Sequence, residues 1–447
     1  MTPRSTALLL VGLDTLASVA VFNFVSVARG LTLGSRLIVE PLLVPTAVFG
    51  IAIYLVQGYR PRTDMLSVEY ASQHAIAACG ALIVTLLLTF VVFPAGYELQ
   101  SSRFVIAITF ITLIPLTLGY RRLFYLRSVE RQGVQPIVFV GDRRNFESFA
   151  AECSTMGINQ QLIHAEPGES DSDTGSFGAV LETVGSGKTR VEAIVLRESA
   201  RELAPSSSQQ LIRLYFSGVP TYTLELFHEI YWQKIPLYRL NQTWLFQEGF
   251  QIAREPVFER AKRAADMVLA VCGLTLAAPI IALMGLLIWL EDRGPVFFGQ
   301  DRIGLNHVPF RLFKLRTMRV HESGDRYTQP GDSRITRIGN FLRKSRIDEF
   351  PQLWNVLKGD MSLIGPRAEW DKLVAEYEAY IPCYHFRHLV RPGITGWAQV
   401  NYPYGASMAD TLRKLEYDLY YIRHFSFRLD ATIVLKTIHI MLFGKGR

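Results

Sequence analysis

Five long apolar runs interrupt an otherwise mixed sequence and divide the chain. Four come first, over residues 7–27, 37–56, 75–93 and 104–118. A helix that crosses a bilayer needs about 20 mostly apolar residues; three runs reach that closely and the fourth is a little short. The first run is too long for a secretory signal, and no convincing small-x-small cleavage site follows it at the right place, so it reads as a retained membrane helix. Arg60 and Arg62 follow the second run, and Arg121, Arg122, Arg127 and Arg131 follow the fourth, whereas the loop from Glu98 to Arg103 is poor in cations. The positive-inside rule then places the N-terminus and everything after Arg121 in the cytoplasm; Arg29 and Arg36, in the first outer loop, pull the other way.

The fifth run, 267–290, has cations on both flanks: Arg260, Lys262 and Arg263 before it, Arg293, Arg302 and Arg311 after it. Pro279 lies mid-run, where proline removes a backbone hydrogen bond and kinks a helix. This predicts a re-entrant helix over 265–291 that dips into one leaflet, breaks at Ala278-Pro279 and returns. The alternative, an ordinary spanning helix, would put the following domain on the far side of the membrane.

Between these membrane segments the periodicity changes. Short buried strands are predicted at 136–141, 191–196 and 219–223, with helices at 145–156 and 211–216. Strands alternating with helices predict a small parallel α/β domain. A dinucleotide fold needs GxGxxG after its first strand; here Gly141-Asp-Arg-Arg-Asn145 supplies one glycine and bulky charged residues. The domain is therefore read as a degenerate Rossmann-like fold, regulatory rather than cofactor-binding. Gly185-Ser-Gly-Lys-Thr189 ends like a phosphate-binding loop, but Glu182 stands where its first glycine belongs, and it follows a helix and precedes a strand, so it reads as a turn. Asp171-Ser-Asp173 resembles a glycosyltransferase DxD but lies in a Gly/Ser/Asp-rich loop.

Composition agrees with a membrane protein that carries soluble parts. Of 447 residues, 49% are hydrophobic and 19% charged, and the net charge is +7. The excess cations fit an anionic membrane surface or phosphate-bearing substrates; no nucleic-acid recognition module is present. The four cysteines, Cys79, Cys153, Cys272 and Cys383, are far apart and form no CxxC, which argues against a disulfide framework or a thiolate zinc site.

Candidate chemistry concentrates in residues 294–404. The run Phe310-Arg-Leu-Phe-Lys-Leu-Arg-Thr-Met318 reads as a strand with one basic face, and Arg337, Arg343, Lys344 and Arg346 follow. Asp348 and Glu349 precede Pro351, which is tolerated only in a helix's first turn. A helix is therefore predicted to start near residues 346–350, where its dipole keeps both carboxylates ionised. Adjacent carboxylates can hold Mg²⁺ together with substrate phosphates, and arginines grip phosphate bidentately; the combination suits phosphoryl transfer. The bland alternative makes Ser345-x-x-Asp348 a capping box. Cys383, His385 and His388 lie close in sequence but read as structural. Residues 429–443 read as an interfacial amphipathic helix or a core helix.

Several runs resemble the bacterial sugar transferases of the monotopic phosphoglycosyl transferase superfamily, the polyprenyl-phosphate hexose-1-phosphate transferases. They are Lys262-Arg-x-x-Asp266, Gly294-Pro-Val-Phe-Phe298, Lys314-x-Arg-Thr-Met318, Asp348-Glu-x-Pro-Gln-Leu-Trp-Asn-Val-Leu-Lys-Gly-Asp-Met-Ser362, Gly365-Pro-Arg367 and Arg391-Pro-Gly-Ile-Thr-Gly-Trp-Ala-Gln-Val-Asn401. The architecture resembles the long members: four transmembrane helices (1–125), the Rossmann-like domain (134–250) and an α/β catalytic domain (258–447) anchored by the re-entrant helix. Tyr402-Pro-Tyr-Gly-Ala-Ser407 with Tyr417-Asp-Leu-Tyr-Tyr421 resembles the exopolysaccharide branch associated with exosortase/PEP-CTERM systems. The resemblance implies a bacterial inner-membrane enzyme with its catalytic domain on the cytoplasmic face. Asp348 would attack a UDP-sugar, release UMP and pass a covalently held phosphosugar to undecaprenyl phosphate, in the first membrane step of exopolysaccharide synthesis. Glu349 would assist with Mg²⁺ or the lipid phosphate. Arg343 and Arg367 match phosphate- or nucleotide-binding positions, with Lys314 and Arg316 as further candidates, and Pro279 matches the helix-breaking proline. Ala278 replaces a common serine, and Ala368 replaces the last proline of Gly-Pro-Arg-Pro. A homodimer is compatible with the long members. Two other functions compete: a processive membrane glycosyltransferase using Asp171 and Asp173, for which no QxxRW-like element is found, and a non-catalytic assembly scaffold, which the intact Asp348-Glu349 pair disfavours.

Overall fold

The computed structural model describes residues 3–30, 37–60, 63–93, 99, 103–132, 135–158, 160–167, 175–197, 203–237, 256–319, 332, 334–402, 405 and 407–443. Arg36, Arg62, Asp171, Asp173, Tyr404 and most of the loop from Glu98 to Arg103 lie outside these residues. The chain forms two compact units, Met1–Arg121 with Asn241–Arg447, and Arg122–Leu240.

The N-terminal runs become α1 (Pro3–Ala28), α2 (Leu43–Leu55), α3 (Val68–Leu87) and α4 (Arg103–Gln132). Phe22, Leu42, Phe49, Ile53, Ala78, Phe110 and Leu113 form their common core. Leu8, Leu16, Phe24, Ile83 and Ile111 stay exposed on the outside, the pattern of helices whose other face meets lipid. α1, α3 with its wider terminal turn, and α4 are long and apolar enough to cross a membrane. Two expectations change. The second run yields only the short apolar helix Glu40–Leu55, about 24 Å at 1.5 Å per residue, because Pro41 and Pro45 confine helix initiation to this end. The fourth continues past its apolar stretch to Gln132. Arg121, expected as a loop cation, is fully buried: both guanidinium nitrogens Nη1 and Nη2 donate to the Asp14 carboxylate.

The second unit is a four-stranded parallel sheet whose strands lie side by side in the order second, first, third and fourth along the chain. Its elements are β1 (Ile137–Val140), α5 (Arg143–Thr155), β2 (Leu162–Ala165), α6 (Gly175–Gly185), β3 (Ala193–Leu196), α7 (Pro205–Phe216), β4 (Thr221–Thr223) and α8 (Leu224–Phe227). The half-buried strand β2 is new relative to the sequence reading; its four residues are too few to show a period. Gly185–Thr189 is the turn that closes α6 ahead of β3, with Ser186 N donating to Glu182 O. After β1, the Asp142 side chain caps α5 by accepting from Asn145 N at 2.8 Å, and it also pairs with Arg197.

The C-terminal region begins with α9 (Pro256–Asp292), followed by the antiparallel hairpin β5 (Phe297–Ile303) and β6 (Pro309–Leu315). Then come α10 (Arg337–Ser345), α11 (Gln352–Lys358), β7 (Ser362–Ile364), α12 (Asp371–Tyr380), β8 (Gly393–Thr395), α13 (Trp397–Asn401), α14 (Met408–Arg423) and α15 (Phe427–Phe443). β7 and β8 pair in parallel. α9 runs uninterrupted through Pro279, so the expected break at Ala278-Pro279 is absent; one lost backbone hydrogen bond does not end a helix whose remaining turns are intact. One side of α9 is packed along its length. Ala270 joins Phe310, Val356 and Met361, and Ile288 joins Leu315 and Leu342. The other side leaves Val268, Leu276, Leu283, Leu286 and Leu290 exposed. α15 packs on the N-terminal helices: His439 Nδ1 lies 2.8 Å from Ser72 Oγ, and Thr432 Oγ1 donates to Leu55 O at 3.1 Å. On its inner side Lys436 Nζ donates to Asn401 Oδ1 at 2.7 Å. Of the two sequence readings, α15 thus follows the packed one.

Candidate active site

Asp348 and Glu349 lie in a single 3-10 turn, Ile347–Glu349. α10 ends on Arg346, whose φ of 55° is left-handed. This reverses the chain and turns the next two side chains inward. α11 starts only at Gln352, after Pro351, so neither acid sits on the N-terminal turn predicted for it. Ser345 is not a cap for Asp348. Its hydroxyl points back into α10, donating to Phe341 O at 2.9 Å and Leu342 O at 3.2 Å.

The two acids have unequal surroundings. Glu349 Oε1 accepts from Lys314 Nζ at 2.9 Å, with Arg367 Nη1 at 3.8 Å and Arg346 Nη1 3.7 Å from the other oxygen. Burial alone would raise the Glu349 carboxyl, but Lys314 and Arg367 outweigh it and hold the group at about 2. Asp348 is 8% exposed; its carboxylate accepts from its own backbone N–H, and no ion pair to its side chain is found among the described residues. Burial pushes its carboxyl above the ordinary aspartate range; Lys314 and Arg343 oppose that, and the neighbouring Glu349 charge adds to it. The helix dipole expected to favour the carboxylate is therefore not the main influence on Asp348; loss of solvent is, and it raises the carboxyl.

Each cation is placed by a different element. Lys314 is on β6, where burial lowers its ammonium against the pull of Glu349. Arg343 is on α10 and donates from Nε to Thr317 Oγ1 at 2.9 Å. Arg367 follows β7, and its backbone carbonyl accepts from Arg387 Nη2 at 3.0 Å. Arg387 in turn donates to buried Asp418 at 2.9 Å, whose carboxyl burial lifts to about 6 against the pull of Arg387. Arg316 is not part of the group. It is buried against Asp292 at the end of α9, and a Cβ at Gly294 would meet the Arg316 guanidinium, which would have to shift. A single basic face on β6 is also absent: Arg311 and Lys314 are an odd number of residues apart, so the strand's period of two sends them to opposite faces.

Asn355, Arg387 and Asp418 escaped the sequence reading. Asn355 is fully buried on α11; its amide accepts from Phe313 N at 3.1 Å and donates to Arg311 O at 2.8 Å. It thereby fixes the strand bearing Lys314 to the helix that follows the acids. Its signal was its place inside the Asp348–Ser362 run, without any type-specific mark. A cavity of about 280 Å³ lined by Lys262, Arg263, Asp266, Asn306 and Arg391 holds neither acid.

A fit for Mg²⁺ rests on the donors. Asp348 offers a buried carboxylate free of ion pairs among the described residues, and Glu349, though paired with Lys314, is its immediate neighbour. One or two carboxylates supplemented by substrate phosphates are a usual magnesium set, and these two fit it.

Comparison with known proteins identifies the family. The bacterial sugar transferase family profile matches residues 257–444. A UDP-N-acetylgalactosamine-undecaprenyl-phosphate N-acetylgalactosaminephosphotransferase of Aeromonas hydrophila is 34% identical over 392 residues, 85% of this chain and 89% of that protein. The UDP-glucose:undecaprenyl-phosphate glucose-1-phosphate transferase of Escherichia coli K12 is 43% identical over 183 residues, 40% of this chain and 39% of its own length. The exopolysaccharide production protein PSS of Rhizobium leguminosarum bv. phaseoli is 41% identical over 194 residues, 41% of this chain and 97% of that protein. This chain belongs to the bacterial sugar transferase family.

Proposed function

We propose that the protein is a polyprenyl-phosphate sugar-1-phosphate transferase that moves a hexose-1-phosphate from a UDP-sugar to undecaprenyl phosphate. The observation that carries the mechanism is the asymmetry of the acid pair: Glu349 gathers the cations, and Asp348 keeps its carboxylate clear of ion pairs in a dry setting. Asp348 Oδ attacks the sugar-linked phosphorus. The phosphorus–oxygen bond to UMP breaks, and UMP leaves with the electron pair. A phosphate oxygen of undecaprenyl phosphate then attacks the same phosphorus and frees the Asp348 carboxylate, giving the lipid-linked diphosphosugar. Lys314, Arg343 and Arg367 orient the diphosphate and stabilise its growing negative charge. Mg²⁺ held by Asp348 and Glu349 would neutralise phosphate charge.

Both flanks of α9 are tied to the catalytic region. Arg263 donates to the Val356 and Leu357 carbonyls of α11, and Asp292 pairs with Arg316. That tethering, with an exposed apolar flank between, supports a continuous helix that rests its apolar flank on the membrane while the catalytic region stays beside it on the cytoplasmic side of the inner membrane. The Asp142 carboxylate caps the α5 terminus, where a dinucleotide's phosphate would otherwise sit; this supports a middle unit without that cofactor, to which we assign a regulatory role. The decisive experiment labels the sugar-linked phosphate of the donor. Label appearing in lipid with release of UMP supports the reaction; release of UDP would instead indicate glycosyl transfer. A panel of UDP-hexoses and UDP-N-acetylhexosamines, read by UMP release, identifies the sugar.

A further inference from the structure

Away from the acid pair, three side chains from separate segments converge. His307 lies in the turn between β5 and β6, Glu378 on α12, and His388 on the turn Tyr384–Leu389. One potential ligand atom from each lies within 4.8 Å of the other two. His307 Nε2 is 2.7 Å from Glu378 Oε1, and the two imidazole rings are 4.5 Å apart. Two further observations mark the place. His388 is 5% exposed, and its Nε2 is buried with no hydrogen-bond partner, which is costly for a polar atom. His307 and its neighbour Asn306 hold left-handed φ values of 62° and 52°, a backbone state that disfavours a side chain and clusters where a site over-determines it.

We propose that His307, Glu378 and His388 form a binding site for a late first-row divalent metal, with zinc the ion the donors suit. Two imidazoles and one carboxylate are a common three-ligand zinc set, with water in a fourth position. Burial, with the Arg387 charge, holds the His388 ring down at about 3, so it is neutral as a ligand must be. Its hydrogen bond with the Gly304 backbone resembles the outer contacts that orient metal-bound histidines.

The site would act as a clip. It joins the β5–β6 turn, whose second strand carries Lys314, to the turn that contains Arg387, which holds the Arg367 carbonyl. The bound metal is thus assigned a positioning role. The rival reading is an exposed His307–Glu378 pair beside a buried structural histidine.

The test uses the full-length, tag-free protein in detergent, stripped with chelator and held in excess Mg²⁺ to occupy oxygen-only sites. Zinc is titrated against a metallochromic competitor. About one zinc per chain is expected, with affinity at least tenfold weaker in Glu378→Gln and in His307→Gly. The glycine variant also relieves the left-handed backbone, so it should fold. Co²⁺ should give the visible bands of a four-coordinate site in the wild type and lose them in both variants. No stoichiometric zinc in the wild type, or equal uptake by all three proteins, overturns the proposal.

Discussion

Asp14 and Asp348 are both buried carboxylates near arginine, and the chain uses them in opposite ways. Asp14, at 2% exposure, receives Arg121 Nη1 and Nη2 on its two oxygens and also the hydroxyls of Tyr59 and Tyr120. Those donors account for about all four lone-pair sites of a carboxylate, so nothing is left to bind. Asp348 is nearly as buried, yet the nearby Lys314, Arg346 and Arg367 pair with Glu349 instead. Proximity of acid and arginine therefore does not identify a reactive site. What identifies it is an acid whose neighbours are already engaged, leaving its own oxygens available.

Exchanging the roles experimentally gives the largest effects. Asp348→Asn should reduce UMP release by about 10³-fold or more, as loss of a nucleophile does, while thermal unfolding stays near wild type. Comparable turnover in the variant would remove Asp348 from the mechanism. Asp14→Asn should do the reverse. It leaves the Arg121 charge buried without its partner, a loss of about 3–5 kcal/mol, seen as a lower Tm in detergent. Protein that remains folded should keep its KM for the UDP-sugar. A Tm unchanged in Asp14→Asn would mean that the network is not holding the bundle.

An intermediate effect tests the electrostatics. The Asp348 carboxyl is raised by burial and pulled down by Lys314. A nucleophile must be ionised, so kcat should climb with pH through that raised value. Removing the Lys314 charge removes a lowering influence, and the acid limb should therefore move to higher pH in Lys314→Met. A fall in kcat of about 10- to 100-fold should accompany the move, on the scale of a lost charge-stabilising donor. Glu349, held at about 2, stays ionised over the working range and cannot supply that limb. An acid limb that stays put in Lys314→Met would break the assigned coupling.

Much of this was legible in the sequence. Hydropathy located the apolar helices, because lipid-facing and core-facing sides are both nonpolar and leave long unbroken runs. The Asp348-Glu349 pair and its family stood out in contiguous motifs. The unequal treatment of the two acids did not, since it depends on Lys314 from β6 and Arg367 from beyond β7 meeting one of two adjacent side chains. Arg121 misled for the same reason: its partner lies 107 residues away, and a buried ion pair is written like a loop cation. The His307 cluster shows the limit in another form. Cys383, His385 and His388 were neighbours in sequence, but the partners that meet His388 come from the hairpin turn and α12.

The smallest expected effect separates the reactive reading of Asp348 from the bland one. If Ser345-x-x-Asp348 were a capping box, Ser345→Ala would cost about 1 kcal/mol. Its hydroxyl instead donates to carbonyls within the last turn of α10, where such bonds contribute little because water can replace them. Ser345→Ala should therefore change stability by less than about 0.5 kcal/mol and leave UMP release unaltered. The contrast with Asp348→Asn three residues later then becomes the measurement. Two residues that share a capping motif on paper should differ about a thousandfold in consequence for turnover, because the left-handed Arg346 between them turns one back along its helix and the other into the site.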